Sequence, residues 1–267
     1  MFKAFYGLSF NPFDKALPET HAFHSRDHEQ MLSRLDYLKN TRGIGLFTAP
    51  PGMGKTYALR CFAKNLNPNL FQLSYICLST VSVSEFYRQF CLELGLDCSS
   101  KKTIMFRSIQ ERLLYLLKEK RKTFILAVDE SQYLSTGILR DIKMLLNTHF
   151  DSLDCFALVL LGQPFLGSIF EKPVHESLKQ RIVVYYNYEG LSADEAKEYI
   201  YSRIDVAGGA RTIIDDAALH AVANFCQGTP RIINSVMTHA LILGTQLQAP
   251  TINTEIILSA SNNLSLG

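Results

Sequence analysis

The sequence has no CxxC pair and no cysteines at metal-ligand spacing. Its six cysteines (Cys61, Cys77, Cys91, Cys98, Cys155 and Cys226) are scattered, mostly in apolar runs, which predicts buried thiols in a reducing compartment. It also lacks an apolar run of membrane-spanning length: the longest, Cys155–Leu161, has the length of a strand. The opening MFKAFYGLSF is too short and too polar for a signal peptide, so the expectation is a cytoplasmic protein with no membrane partner. Internal repeats and low-complexity segments are absent. So is a large charge imbalance: 27 Lys and Arg against 25 Asp and Glu leave +2, too little to imply nucleic acid by itself. What remains is an ordinary globular composition, 47% hydrophobic and 19% charged. At 267 residues there is room for one large α/β domain and a small appended one.

The stretch that organises the chain is Ile44–Tyr57, IGLFTAPPGMGKTY. The apolar run from Ile44 to Phe47 reads as a buried strand, followed by a Pro/Gly loop and then a helix with Ala58, Leu59, Phe62 and Leu66 at helical spacing. Strand, Gly-rich loop and helix start are the parts of a phosphate cradle. In such a cradle the backbone N–H groups of Gly52–Thr56 would point inward, Lys55 would reach the β/γ-phosphates, and the Thr56 hydroxyl would hold Mg²⁺. The usual pattern begins with Gly six positions before the Lys, where this chain has Ala49. Ala does not readily adopt positive φ, so the start of the loop is expected in an ordinary conformation set by Pro50 and Pro51.

Around this stretch the pattern alternates. An aromatic leader (Phe2, Phe5, Tyr6, Leu8, Phe10, Phe13) must be covered, by the core or by a flat ligand. Arg26–Lys39 reads as a helix, Leu70–Leu78 as a strand, and Ser82-Val-Ser-Glu85 as a capping box opening a helix to Leu94. Gly95–Thr103 is a polar break, followed by a helix over Ile104–Lys118, a strand at Phe124–Val128 and a helix over Leu134–His149. Further strands are expected at Phe156–Leu161 and Arg181–Tyr186. From Ser192 onward only helical patterns occur, over 192–205, 215–226, 229–245 and 252–261. This predicts an α/β domain over 1–189, with its aromatic leader, and a small all-helical domain over 190–267.

FILAVDE puts Asp129 at the carboxyl end of a buried strand, where open α/β sheets bind ligands, and it is suited to anchor Mg²⁺. Glu130, next along, is placed to act as general base toward water. Gln163 follows the fourth strand and could hydrogen-bond the same water, although a plain turn residue before Pro164 would look alike. Arg181 and Arg231 stand at the starts of a strand and a helix, where a planar guanidinium could bind phosphate oxygens or make a surface ion pair. Residues 97–122 hold eight basic side chains against three acids, +5 in a chain of +2. The run Lys118–Lys122 also suits a solvated helix C-terminus, which leaves Lys101 and Lys102, in the polar break, as better placed for phosphate contact.

Together these residues resemble AAA+ ATPases, and more narrowly the ExeA/TniB/TnsC-like group. The resemblance rests on FYGLSFNPFD, RDHEQMLSRL, VDESQ, LLGQP, QRI at 180–182 and GTPRIIN at 228–234, and covers nearly the whole chain. It implies a P-loop fold with a five-stranded parallel sheet flanked by helices and followed by a helical lid. Asn11, Pro12 and Phe13 would border the adenine, and Pro51, Gly52, Met53, Gly54, Lys55, Thr56 and Tyr57 would cradle the phosphates of ATP, with Mg²⁺ on Thr56 and Asp129. Glu130 would be the catalytic carboxylate, Gln163 the sensor-1 polar residue, Arg231 the sensor-2 arginine and Arg181 a finger supplied to the next subunit, with Arg203 and Arg211 as substitutes. The implied assembly is a homo-oligomeric ring or helical filament of about six or seven protomers per turn.

Members of the group divide by use. Secretion-type proteins carry a transmembrane segment and a cell-wall-binding region after the ATPase, neither of which this sequence shows. Transposition regulators assemble on duplex DNA with ATP, recruit or activate a transposase alongside a target-selection protein, and disassemble on hydrolysis. The basic segment suits the second use, with Lys101, Lys102 and Arg107 expected on DNA without sequence preference. A cytosolic secretion or pilus-assembly ATPase is the alternative, and a nucleotide-gated scaffold with little turnover a third reading.

Overall fold

The computed structural model describes residues 2–147 and 154–265. They fall into two compact units. One comprises Gln30–Pro51 and Lys55–Tyr188, and the other comprises the N-terminal residues to Glu29, Gly52–Gly54 and the chain from Glu189 onward.

The first unit is built on five strands, β1 (Gly43–Thr48), β2 (Phe71–Ile76), β3 (Thr123–Val128), β4 (Phe156–Gly162) and β5 (Ile182–Asn187). They form one parallel sheet in the order β2-β3-β4-β1-β5. The three inner strands are buried along nearly their whole length, which is why they read as continuous apolar runs, whereas edge strands β2 and β5 are partly exposed. Numbering helices along the whole chain, α1 is Phe2–Phe5, α2 Arg26–Thr41, α3 Lys55–Lys64, α4 Val83–Glu93, α5 Lys102–Lys118, α6 Thr136–Leu146, α7 Phe165–Phe170 and α8 Glu176–Lys179. The predicted capping box forms: the Ser82 hydroxyl accepts from the Glu85 N–H while the Glu85 carboxylate accepts from the Ser82 N–H. Phe90 of α4 stacks on Phe124 and meets Phe156 edge-on, both at 5.9 Å between ring centres, which locks the helix layer onto β3 and β4. The helix expected over 134–149 is present as α6, and residues 148–149 lie outside the described residues.

The second unit is helical: α9 (Ala193–Val206), α10 (Asp216–Cys226), α11 (Pro230–Gln246) and α12 (Thr254–Ser265). Its core is formed by Ile200, Leu219, Val222, Val236, Met237, Leu241 and Ile257 with their neighbours. The leader, assigned from sequence to the α/β domain, instead belongs here, because Tyr6, Leu8 and Phe13 are buried in this helical core. The Ser9 N–H donates to the Ala207 carbonyl at 2.8 Å, and the Tyr6 hydroxyl to the Ala249 carbonyl at 2.9 Å, so the leader's polar groups are satisfied in the same place.

Two smaller expectations need correction. Cys77 and Cys98 are exposed while the other four thiols are buried. Lys102 does not lie in the polar break but opens α5, because the helix begins two positions earlier than its apolar stripe; Lys101 stays outside it as the residue before the helix.

Candidate active site

At the carboxyl edge of the sheet, β1 pairs with β4 for one residue beyond Thr48: the Ala49 N–H donates to the Gly162 carbonyl at 3.1 Å. Ala49 is completely buried and keeps an ordinary negative φ, since among the described residues the non-glycines at positive φ are Arg42, Arg121, Glu130, Gln227 and Gln248. A sheet-extending residue needs no glycine, and this removes the conflict with the usual pattern. The later glycines do use their freedom, with φ of +88° at Gly52 and +93° at Gly54. Helix α3 begins at Lys55, whose ammonium donates to the carbonyls of Ala49 at 2.8 Å and Pro50 at 3.3 Å. A phosphate group at the loop would replace these neutral acceptors with a charged one.

Asp129 emerges from β3 and is buried. Its Oδ2 accepts the Thr56 hydroxyl at 2.7 Å and the Tyr75 hydroxyl at 2.8 Å, while its Oδ1 accepts the Glu130 N–H at 2.9 Å. Burial and the hydrogen bond to Asp129 push the Tyr75 phenol well above its ordinary range, so it remains a proton donor. Glu130 sits in the left-handed region at φ 49°, ψ 37°. Its carbonyl accepts the Ser79 hydroxyl at 2.9 Å, and its carboxylate accepts the Gln132 side-chain amide at 2.5 Å. Gln163 lies close by, but its connection runs through the main chain: its N–H donates to Gln132 Oε1 at 3.1 Å. The structure thus brings Lys55, Thr56, Asp129, Glu130 and Gln163 together on one edge of the α/β unit. It adds Tyr75, Ser79 and Gln132, which the sequence did not single out as site residues.

Arg181 stands directly before β5 and takes the ion-pair alternative: its side chain is 17% exposed and pairs with Asp154 Oδ1 at 3.0 Å. Its carbonyl accepts the Ile44 N–H at 3.0 Å, which sets Arg181 at the amino edge of the sheet, opposite Thr56 and Asp129. A six-residue strand spans roughly 20 Å, so Arg181 cannot serve the site of its own chain. Of the two substitutes, Arg203 is buried over the Tyr199 ring, and Arg211 pairs with Asp205 at 2.7 Å.

In the helical unit, the Arg231 N–H donates to the Gly52 carbonyl at 3.3 Å, and a Cβ at position 52 would come within 2.8 Å of the Arg231 Cβ. Arg231 is exposed on the first turn of α11. Met53 approaches Gly190 in the same unit. Asn11 caps the turn that follows it, accepting the Phe13 N–H at 3.1 Å, and Pro12 and Phe13 are buried. In the α/β unit, Pro51 is exposed and Tyr57 lies beside Arg60, 5.0 Å from guanidinium to ring centre. Two of the three cations expected on DNA already have carboxylate partners: Lys102 with Asp141 at 2.6 Å and Arg107 with Glu111 at 2.8 Å.

The donor set fits Mg²⁺. Thr56 and Asp129 offer two hard oxygens, and among the described residues no cluster of three or more His, Cys, Asp or Glu forms a closed cage. Mg²⁺ typically takes one or two protein oxygens, keeps waters and completes its shell with substrate phosphates. Among the described residues no helix is long and apolar enough to cross a membrane.

Comparison with known proteins agrees with this geometry. Residues 38–170 match the family model for the AAA domain. The chain is similar to general secretion pathway protein A of Aeromonas hydrophila, 31% identical over 245 residues, which is 91% of this chain and 44% of that protein. The chain therefore spans less than half the length of that relative. The fold is similar to that of Cdc6p from Pyrobaculum aerophilum, with TM-score 0.72, 16% identity, and coverage of 94% of this chain and 70% of the other. It is also similar to ORC1 of Aeropyrum pernix solved in complex with DNA, with TM-score 0.68, 17% identity, and coverage of 93% and 68%. On its five-stranded parallel sheet, the chain thus carries a AAA domain over residues 38–170.

Proposed function

We propose that this chain binds Mg²⁺-ATP, hydrolyses it slowly to ADP and phosphate, and uses the cycle as an assembly switch. The observation that carries this reading is the Thr56–Asp129 contact at 2.7 Å beside Glu130, on the edge of a parallel sheet where a Gly-rich loop meets a helix start. In this reading Lys55 and the backbone N–H groups of residues 52–56 hold the phosphates, and Thr56 and Asp129 hold the metal through oxygen. Mg²⁺ supplies neutralisation of phosphate charge. Glu130 takes a proton from the water whose oxygen bonds to the terminal phosphorus as the bond to the ADP oxygen breaks. Gln163 borders the same water, and Arg231 takes the sensor-2 role. Arg181, at the opposite edge of its own sheet, acts only in a neighbour's site and must leave Asp154 to do so. That requirement makes a ring or filament, of about six or seven protomers per turn, part of the proposal.

The finer reading is a cytoplasmic, duplex-DNA-bound regulator that recruits or activates a transposase, with or without a target-selection protein. It is supported by the +5 charge of residues 97–122. A similar fold, that of ORC1, has been solved on DNA. The second reading, a cytosolic ATPase assisting secretion or pilus assembly, is favoured by the 31% identity to general secretion pathway protein A. The separating experiment is retention of the chain on random-sequence duplex at low salt with a non-hydrolysable ATP analogue. The first reading predicts salt-sensitive retention in assemblies stacked along the duplex, weakened by Lys101→Ala with Arg107→Ala. No retention leaves the second.

A further inference from the structure

Gln132 is 5% exposed and lies in the turn after Glu130, in a unit whose hydrogen bonds leave its amide only one orientation. The Gln163 main chain presents an N–H, which needs an acceptor, and the Glu130 carboxylate presents only acceptors, which need a donor. The amide therefore turns its oxygen to Gln163, at 3.1 Å, and its nitrogen to Glu130 Oε2, at 2.5 Å. One side chain thus ties the acidic residue after β3 to the turn after β4.

Two further features of the fold preserve this link. Gly162 leaves room for it: a Cβ there would lie 2.7 Å from Gln132 Oε1 and 2.6 Å from a Leu166 methyl carbon. The Glu130 backbone is fixed independently, in a left-handed conformation unusual for a residue with a side chain, by the Ser79 hydroxyl on its carbonyl and by Asp129 Oδ1 on its N–H. With the main chain pinned, what sets the carboxylate is the Gln132 amide on one of its oxygens, which leaves the other oxygen to receive a proton.

We propose that Gln132 is a positioning residue for hydrolysis. It aims the Glu130 carboxylate and couples that aim to the Gln163–Pro164 turn, so that a shift of the turn moves the base. This deepens the proposed ATPase reading and rests on it. Both polar atoms of the Gln132 amide are engaged within the protein, at Glu130 and at the Gln163 main chain, so its effect must fall on turnover and not on binding.

The test compares wild type, Gln132→Met, Gln132→Glu and Gly162→Ala, each alone and in a Glu130→Gln background. Hydrolysis is measured with Mg²⁺-ATP, binding with a fluorescent ATP analogue. Methionine keeps length and volume but neither hydrogen bond; glutamate keeps the acceptor toward Gln163 and loses the donor toward Glu130. A misplaced base predicts a kcat loss of about 10- to 100-fold in each, with analogue affinity changed less than about twofold. In the Glu130→Gln background the same changes should alter the residual rate less than about twofold, because residues acting through one another are not additive. Unchanged kcat in both Gln132 variants overturns the proposal, as does an equal fold-loss in both backgrounds or a matching loss of affinity. Should Gln132→Met not fold, Gln132→Glu and Gly162→Ala decide by the same criteria. A wild-type chain that hydrolyses nothing overturns the ATPase reading as well. An active wild type silenced by Glu130→Gln but indifferent at Gln132 overturns this inference alone.

Discussion

Thr56 and Asp129, 73 residues apart in sequence, meet at 2.7 Å, with the hydroxyl on the first turn of α3 donating to Oδ2 of the carboxylate at the end of β3. The register of the parallel sheet brings them together. Strand β3 is not paired to β1 but separated from it by β4, so the order β2-β3-β4-β1-β5 decides which carboxylate faces the loop.

The isosteric change Thr56→Val removes one of the two protein oxygens assigned to Mg²⁺. ATP binding should lose about tenfold of its Mg²⁺ enhancement while metal-free binding is nearly unchanged. Titrations of the fluorescent analogue with and without EDTA check this, and an intact Mg²⁺ enhancement would remove Thr56 from the metal site.

Ala49→Gly restores the residue of the usual loop pattern. Because Ala49 is buried and extends β1, the change should not improve ATP affinity and should lower stability by about 0.5–1 kcal/mol through added unfolded-state freedom. Urea denaturation alongside ATP titration measures both effects.

Much of this arrangement was legible in the sequence, for physical reasons. The inner strands are covered on both faces, so their apolar runs stand out; Ser82 and Ser192 carry capping boxes that fix the starts of α4 and α9. Strand order left no such mark, and neither did the residues that depend on it. Tyr75 looks like any aromatic strand residue until β2 lies beside β3, in the register Tyr75↔Ala127, and its hydroxyl meets Asp129. Gln132 reads as a turn residue until the left-handed Glu130 directs it toward β4. The leader's destination was equally silent, since aromatic density says that Tyr6 and Phe13 must be covered but not by which unit.

Gly228→Ala tests how the helical unit is closed. Gly228 has φ +71°, and a Cβ there would lie 2.4 Å from the Leu191 carbonyl oxygen and 2.8 Å from its nitrogen, both backbone atoms that cannot swing aside. The expected loss is about 2 kcal/mol or more, read as a lower denaturation midpoint.

Acid sensitivity should trace in part to Glu195. Burial pushes its carboxyl up, but hydrogen bonds from the N–H groups of Arg26 at 2.7 Å and Ser192 at 2.9 Å, with the Arg26 charge, bring it below its ordinary 4.5. A lowered folded-state value means that the contribution is full above that ordinary value and is lost as pH falls through the folded one. Glu195→Gln should therefore be less stable than wild type at pH 7 and approach it at pH 3. A constant difference across that range would contradict this assignment.

The most direct measurement is ATP turnover by the purified chain with Mg²⁺, with and without duplex DNA, for wild type and Glu130→Gln side by side with analogue binding. The account predicts slow hydrolysis by wild type, lowered at least about 100-fold in Glu130→Gln while nucleotide stays bound. Equal turnover in the two proteins, or no binding of ATP by either, would contradict it.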